Sequence, residues 1–242
     1  MPHEKLKASL KNLLLSNSAA VIDKHLLQAA ERNLSYEDLL NDLLDEEIAY
    51  RKEHRINRLL KSSSIKIKKT IDSFDFTYPD KINQQLIKSI FDLSFIGQKT
   101  NVILLGPPGV GKTFIATALV YAACVNDYKC RFITAMNLIN ELNSSLSDNS
   151  FLRCMKRFIS LDLLVIDELG YLPIDKQGSD LLFQIISNRY ETGSIIITTN
   201  KPFKQWNEIF NGDGTLAGAV LDRLVHHCEI IKIEGRSYRV KK

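Results

Sequence analysis

Gly106-Pro-Pro-Gly-Val-Gly-Lys-Thr113 spaces glycines, a lysine and a hydroxyl as a phosphate cradle requires. Glycines let backbone amides turn inward around phosphate oxygens without a Cβ clash. Every fixed position of G-x-x-x-x-G-K-[ST] is matched, with Gly106, Pro107, Pro108, Gly109, Val110, Gly111, Lys112 and Thr113 forming the loop. In this arrangement Lys112 reaches the β- and γ-phosphates of ATP, and the Thr113 hydroxyl ligates Mg²⁺. About 54 residues beyond the loop, Leu163-Leu-Val-Ile-Asp167-Glu168 is an apolar run ending in two acids. Such a strand delivers Asp167 to the carboxyl edge of a sheet, where ligands bind. There Asp167 would hold Mg²⁺ from the side opposite Thr113, through water. Glu168 would accept a proton from an attacking water, which favours hydrolysis over transfer to a small molecule. Ile195-Ile-Ile-Thr-Thr-Asn200 is a third apolar run with a polar end. If its strand lies between the other two, Asn200 faces the γ-phosphate and orients that water.

These residues need a scaffold. Strands are expected at Val102–Leu105, Arg131–Ala135, Leu163–Ile166, Ile195–Thr198 and Glu229–Ile233, with helices near 112–126, 136–158, 177–191 and 216–227. The strands are continuously apolar rather than alternating, which predicts a parallel sheet covered by helices on both faces. Ahead of the loop, Asp80 is expected to open a helix with Leu86, Ile87, Ile90 and Phe91 inward, ended by Gly97. Residues 1–61 read as helices only. Asn17 or Ser18 can cap one with Val21, Ile22, Leu26, Leu27 and Ala30 on its apolar face. Ser35 can cap the next by accepting from the Asp38 amide, and that helix is expected to bury Leu39, Leu40, Leu43, Leu44 and Ile48. Residues 62–71 form a basic linker and 72–242 the α/β domain.

Charge is uneven. The chain of 242 residues carries a net +4, but Arg51, Lys52, Arg55, Arg58, Lys61, Lys66, Lys68 and Lys69 face a single acid, Glu53, over nineteen residues. The run suits either a solvated helix end or contact with a phosphate backbone. The longest nearly apolar stretch, Phe114–Val125, is too short to span a bilayer, and the first residues lack a signal-peptide core, so a cytoplasmic protein without membrane contact is expected. Cys124, Cys130, Cys154 and Cys228 form no Cys-x-x-Cys pair and read as small apolar groups. His226-His227-Cys228 lacks a second ligand cluster at metal spacing, so no metal is expected there. Phe74 and Phe76 could lie near an adenine or pack in the core, and Trp206 reads as packing.

In combination the motifs resemble the IstB-like ATP-binding proteins of the AAA+ superfamily. The resemblance rests on Phe74-Asp-Phe76, the phosphate loop, Val165-Ile-Asp-Glu-Leu-Gly-Tyr171, Thr199-Asn-Lys-Pro-Phe203, Leu221-Asp-Arg-Leu-Val-His-His227 and Gly235-Arg-Ser-Tyr-Arg239. It runs from about residue 5 to residue 240. It implies a P-loop NTPase sheet of five parallel strands in the order 5-1-4-3-2, with a small all-α N-terminal domain. It further implies a Mg-dependent ATPase that forms a homo-oligomer on double-stranded DNA and hands target DNA to a transposase. By similarity the helical N-terminal domain helps bind DNA and self-associate, which favours the DNA reading of the basic run. The alternative is a DnaC-type loader acting on a replicative helicase. The resemblance also implies that Arg223 reaches a neighbour's ATP, with Arg189 as a second candidate. Only nine residues follow the last expected strand, so no helical lid is expected, leaving Arg236 and Arg239 as candidates for its arginine. A non-hydrolysing scaffold is disfavoured by Glu168 and Asn200, and a small-molecule kinase by the lack of an acceptor-binding segment.

Overall fold

The computed structural model describes residues 3–238. Two compact units divide between Arg58 and Leu59. The first is helical: α1 (Glu4–Asn12), α2 (Ser16–Arg32) and most of α3, which runs over Tyr36–Ser63. The Ser35 hydroxyl accepts from the Asp38 amide at 3.1 Å, as the capping pattern requires, and Ser64, at φ 64°, ends the helix. α2 starts earlier than expected, at Ser16, without a side-chain cap. Ser18 is instead buried inside the helix, where its amide and hydroxyl donate to Glu47 Oε2 at 2.7 and 3.0 Å. The apolar face of α3 is narrower than its leucines suggest. Leu43 is buried with Glu47 one turn on, whereas Leu40, Leu44 and Ile48 are exposed, as is Leu27 on α2. A helix in so small a unit has one neighbouring surface, which covers one stripe of side chains four residues apart.

The second unit contains α4 (Gln84–Ile90), α5 (Ser94–Gly97), β1 (Asn101–Leu105), α6 (Lys112–Val125), β2 (Cys130–Thr134), α7 (Ala135–Ser147), α8 (Phe151–Ile159) and β3 (Leu163–Leu169). α9 (Lys176–Arg189), β4 (Ser194–Thr199), α10 (Trp206–Ile209), α11 (Gly214–Val225) and β5 (Cys228–Lys232) complete it. The five strands are parallel in the order β2-β3-β4-β1-β5, the expected order read from the other edge. Ile103, Leu164, Ile166, Ile195 and Ile197 join one core with α7 through α11, including Leu138, Phe158, Leu182, Trp206 and Val220. Val102, Leu104, Val165 and Ile196 are equally buried but point to the other face, as alternation along a strand demands. There α6 buries Ile115, Leu119 and Ala123. The edge strand β5 is largely exposed, so burial on both faces holds for the central strands only.

Three local expectations change. Asn83, not Asp80, caps α4, its Oδ1 accepting from the Leu86 amide at 3.0 Å. Leu93, at φ 63°, separates α4 from the short α5 that holds Gly97. The stretch 136–158 is two helices, broken at Asn149 with φ 58°. Trp206 is fully buried and donates to Lys201 O at 3.1 Å, the packing role expected of it. Among the described residues no helix is long and apolar enough to cross a membrane.

Candidate active site

β1 ends at Leu105 and the loop turns at once into α6. Gly109 and Gly111 adopt φ 82° and 100°, values that L side chains avoid. The space beside them is filled as well. A Cβ on Gly111 would lie 2.5 Å from the Phe74 ring, one on Gly109 2.0 Å from Ser237 Oγ, and one on Gly106 2.2 Å from Ile233 O. The loop is therefore walled by residues from both ends of the domain. Tyr238 donates from its amide to Gly109 O at 2.9 Å, and the Tyr78 hydroxyl donates to Ser237 O at 2.8 Å. Glu234 pairs with Lys81 through both backbone bonds, which holds this last segment against the chain that precedes α4.

Lys112 is buried and its ammonium donates to Gly106 O at 2.7 Å and Pro107 O at 2.8 Å. β3 brings Asp167, 3% exposed, to the start of α6, where its Oδ1 accepts from Thr113 Oγ1 at 3.1 Å. The same oxygen accepts from Thr198 Oγ1 at 2.5 Å, and Thr198 in turn accepts from the Glu168 amide at 2.9 Å. Thr198 thus ties the two acids to β4. The pairing of β3 with β4 is irregular between Ile166 and Leu169, and Glu168 sits there at φ 60°. A non-glycine residue held in that region stores strain of about 1–3 kcal/mol, and the bulge turns its carboxylate outward. Glu168 is exposed and lines a cavity of about 330 Å³ together with Gly109, Lys112, Thr113, Thr198, Phe74, Tyr78 and Tyr238.

The site fits Mg²⁺ and a triphosphate. A hydroxyl and a carboxylate 3.1 Å apart are the oxygen donors Mg²⁺ takes, leaving the remainder of its shell to phosphate and water. The loop places backbone amides and the amino end of α6 together, which favours an anion. Asn200 follows β4 between β1 and β3, as expected from the strand order. Its Oδ1 is buried with no hydrogen-bond partner among the described residues, and Thr198 rather than Asn200 lines the cavity.

The arginines separate. Arg189 is 1% exposed and donates to the carbonyls of Phe158, Ile159, Leu161, Asp162 and Ser194. Burial lowers its guanidinium to about 10, opposed by the charge of Asp162. A side chain consumed in this way cannot reach a neighbouring molecule, so its candidacy as a trans-acting arginine falls. Arg223 is half-buried, stacks 4.8 Å from the Phe183 ring centre and donates to Ala219 O at 2.9 Å, away from its own cavity. Arg236 is exposed, and Arg239 lies outside the described residues.

The basic run also divides. Arg51 is committed within the helical unit, donating to Glu47 Oε1 at 2.8 Å and to Leu14 O. Lys69 lines the same cavity as Lys112 and Glu168. Lys52, Arg55, Arg58, Lys61, Lys66 and Lys68 are exposed. The four thiols are free and three of them are buried, and burial pushes the Cys228 thiol up to about 12. Glu191, distant in sequence and in no cluster of ligand spacing, joins His226 and His227 with ligand atoms within 4.8 Å of one another, and Cys228 is not among them. All three residues are exposed.

Reading along the chain missed Thr198, Tyr78, Tyr238 and the cavity position of Lys69. A signal existed for Thr198, since a hydroxyl inside an otherwise aliphatic strand needs a partner. The Gly235-Arg-Ser-Tyr238 motif was visible, but its seat on the loop depends on the Lys81–Glu234 pairing, which no local pattern announces.

Comparison with known proteins places the chain in a family. A family model described as IstB-like ATP binding protein matches residues 8–242. The insertion sequence IS5376 ATP-binding protein of Geobacillus stearothermophilus is 41% identical over 214 residues, covering 88% of this chain and 85% of that protein. Among solved structures, the DnaC helicase loader aligns with TM-score 0.56 and 20% identity over 73% of this chain and 99% of that one. AMPPCP-bound DnaA from Aquifex aeolicus aligns with TM-score 0.59 and 17% identity over 71% of this chain, which spans about half (51%) of the DnaA chain. Those two likenesses carry the fold, a five-stranded parallel sheet flanked by helices. The chain belongs to the IstB-like ATP-binding protein family.

Proposed function

We propose that the protein is a Mg-dependent ATPase that assembles on double-stranded DNA and delivers it to a partner transposase. The observation that carries the chemistry is the bonded set Thr113–Asp167–Thr198–Glu168 at the mouth of the phosphate loop. Bound Mg²⁺ would neutralise charge on the phosphates and lower the barrier to their transfer. Thr113 and Asp167 would hold it, the loop amides and Lys112 would hold the phosphate chain, and Glu168 would take the proton of the attacking water. Asn200, with its orphaned oxygen beside β1, would orient that water. The exposed cations Lys52, Arg55, Arg58, Lys61, Lys66 and Lys68 would meet the DNA backbone. Arg223, turned away from its own cavity, would complete a neighbour's site, which accounts for assembly and hydrolysis together. The relatives' insertion-sequence origin supports a transposase as partner, and the DnaC likeness keeps a replicative helicase as the second reading.

Phosphate release measured with and without duplex DNA tests this reading. Glu168→Gln should bind ATP yet release phosphate at least about 100-fold more slowly, the usual worth of a positioned base. An unchanged rate removes Glu168 from the role.

A further inference from the structure

Lys69 ends the basic linker, and its surroundings differ from those of the cations before it. Lys66 and Lys68 are exposed, whereas Lys69 is half-buried and lines the nucleotide cavity. Its ammonium lies 4.7 Å from the centre of the Phe114 ring. Phe114 immediately follows Thr113 in α6, and its ring packs on Phe74 at 5.5 Å. Phe74 in turn fills the space beside Gly111. The ammonium is thereby held over the aromatic wall of the loop, at the cavity. The amino end of α6 already favours an anion at this mouth. A second cation in a partly enclosed site strengthens charge-assisted contacts to phosphate oxygens.

We infer that Lys69 is a nucleotide-binding residue, a second cation on the ATP phosphate chain beside Lys112, and not a contact to the DNA backbone. This rests on the ATP-site reading above. It divides the linker between two ligands: Lys66 and Lys68 face solvent and serve DNA, while three residues from Lys66 the chain is pinned by nucleotide. ATP occupancy then fixes the end of the segment that carries the DNA-binding cations.

The test uses the full chain and calorimetric binding of MgATP at low salt. Lys69→Met keeps an unbranched apolar stem and removes the charge, and Lys69→Arg keeps the charge. Losing one charge-assisted contact should weaken MgATP about tenfold in Lys69→Met, and Lys69→Arg should stay within about threefold of wild type. Duplex binding at saturating ATP should keep its salt slope in Lys69→Met, whereas Lys66→Met should lower it by about 0.9. Wild-type ATP affinity in Lys69→Met overturns the assignment, as does a slope reduced by about 0.9 in that variant. An equal loss in Lys69→Arg also overturns it, because packing rather than charge would then be responsible. Lys112→Ala is the control: if it too binds ATP like wild type, the ATP-site reading fails, and if it alone loses ATP, only the Lys69 assignment fails.

Discussion

Thr198 shows how little of a site a motif contains. Its hydroxyl donates to Asp167 and accepts from the Glu168 amide, so one side chain holds the Asp167 carboxylate and the Glu168 backbone. Thr198→Val preserves shape and removes both bonds. The phosphate loop is untouched, so MgATP affinity should change by less than about threefold. Turnover should fall roughly 10–100-fold, as when a partner orienting a metal ligand is lost. Steady-state phosphate release and calorimetry on the same preparation separate the two effects, and a normal rate would show that Asp167 and Glu168 hold their places unaided. The loop residues, Asp167 and Glu168 were legible beforehand because their chemistry demands fixed types at fixed spacing. Thr198 and Lys69 were not, because each acts through neighbours that only the folded chain supplies.

At the scale of elements, the five strands were readable because buried parallel strands need unbroken apolar runs, whereas their order was implied only by the family resemblance. Their ends were less so. β3 extends three residues beyond Ile166, since the bulge at Glu168 lets Leu169 return to the sheet opposite Thr199. Leu40, Leu44 and Ile48 were misplaced because periodicity names an apolar stripe without saying whether a second element covers it. Arg189 is the reverse case, a charged residue at the end of α9 that turns inward to serve the carbonyls where α8 ends and β3 and β4 begin. Arg189→Leu would leave several buried carbonyls without donors at a cost of roughly 3–5 kcal/mol. Chemical denaturation should show that loss, with Arg223→Leu, at a half-buried arginine that serves a single carbonyl, as the comparison. Equal midpoints for the two variants would contradict the buried assignment.

At the scale of the whole molecule, one chain carries an ATP site and a run of exposed cations. Were about four of the six exposed cations to touch DNA phosphates, log affinity should fall against log salt with a slope near −3.6. Anisotropy of a labelled duplex across a salt series measures it, and a flat response would remove the backbone contacts. The central claim is that ATP in the Lys112–Asp167 site governs gathering on duplex DNA. Sedimentation of the protein with a long duplex, with ATP added stepwise, tests it most directly. Wild type should move onto the duplex as large assemblies only once ATP is present, while Lys112→Ala should remain behind at every ATP concentration. Large assemblies of wild type on the duplex without ATP, or loading of Lys112→Ala equal to that of wild type once ATP is present, would contradict this.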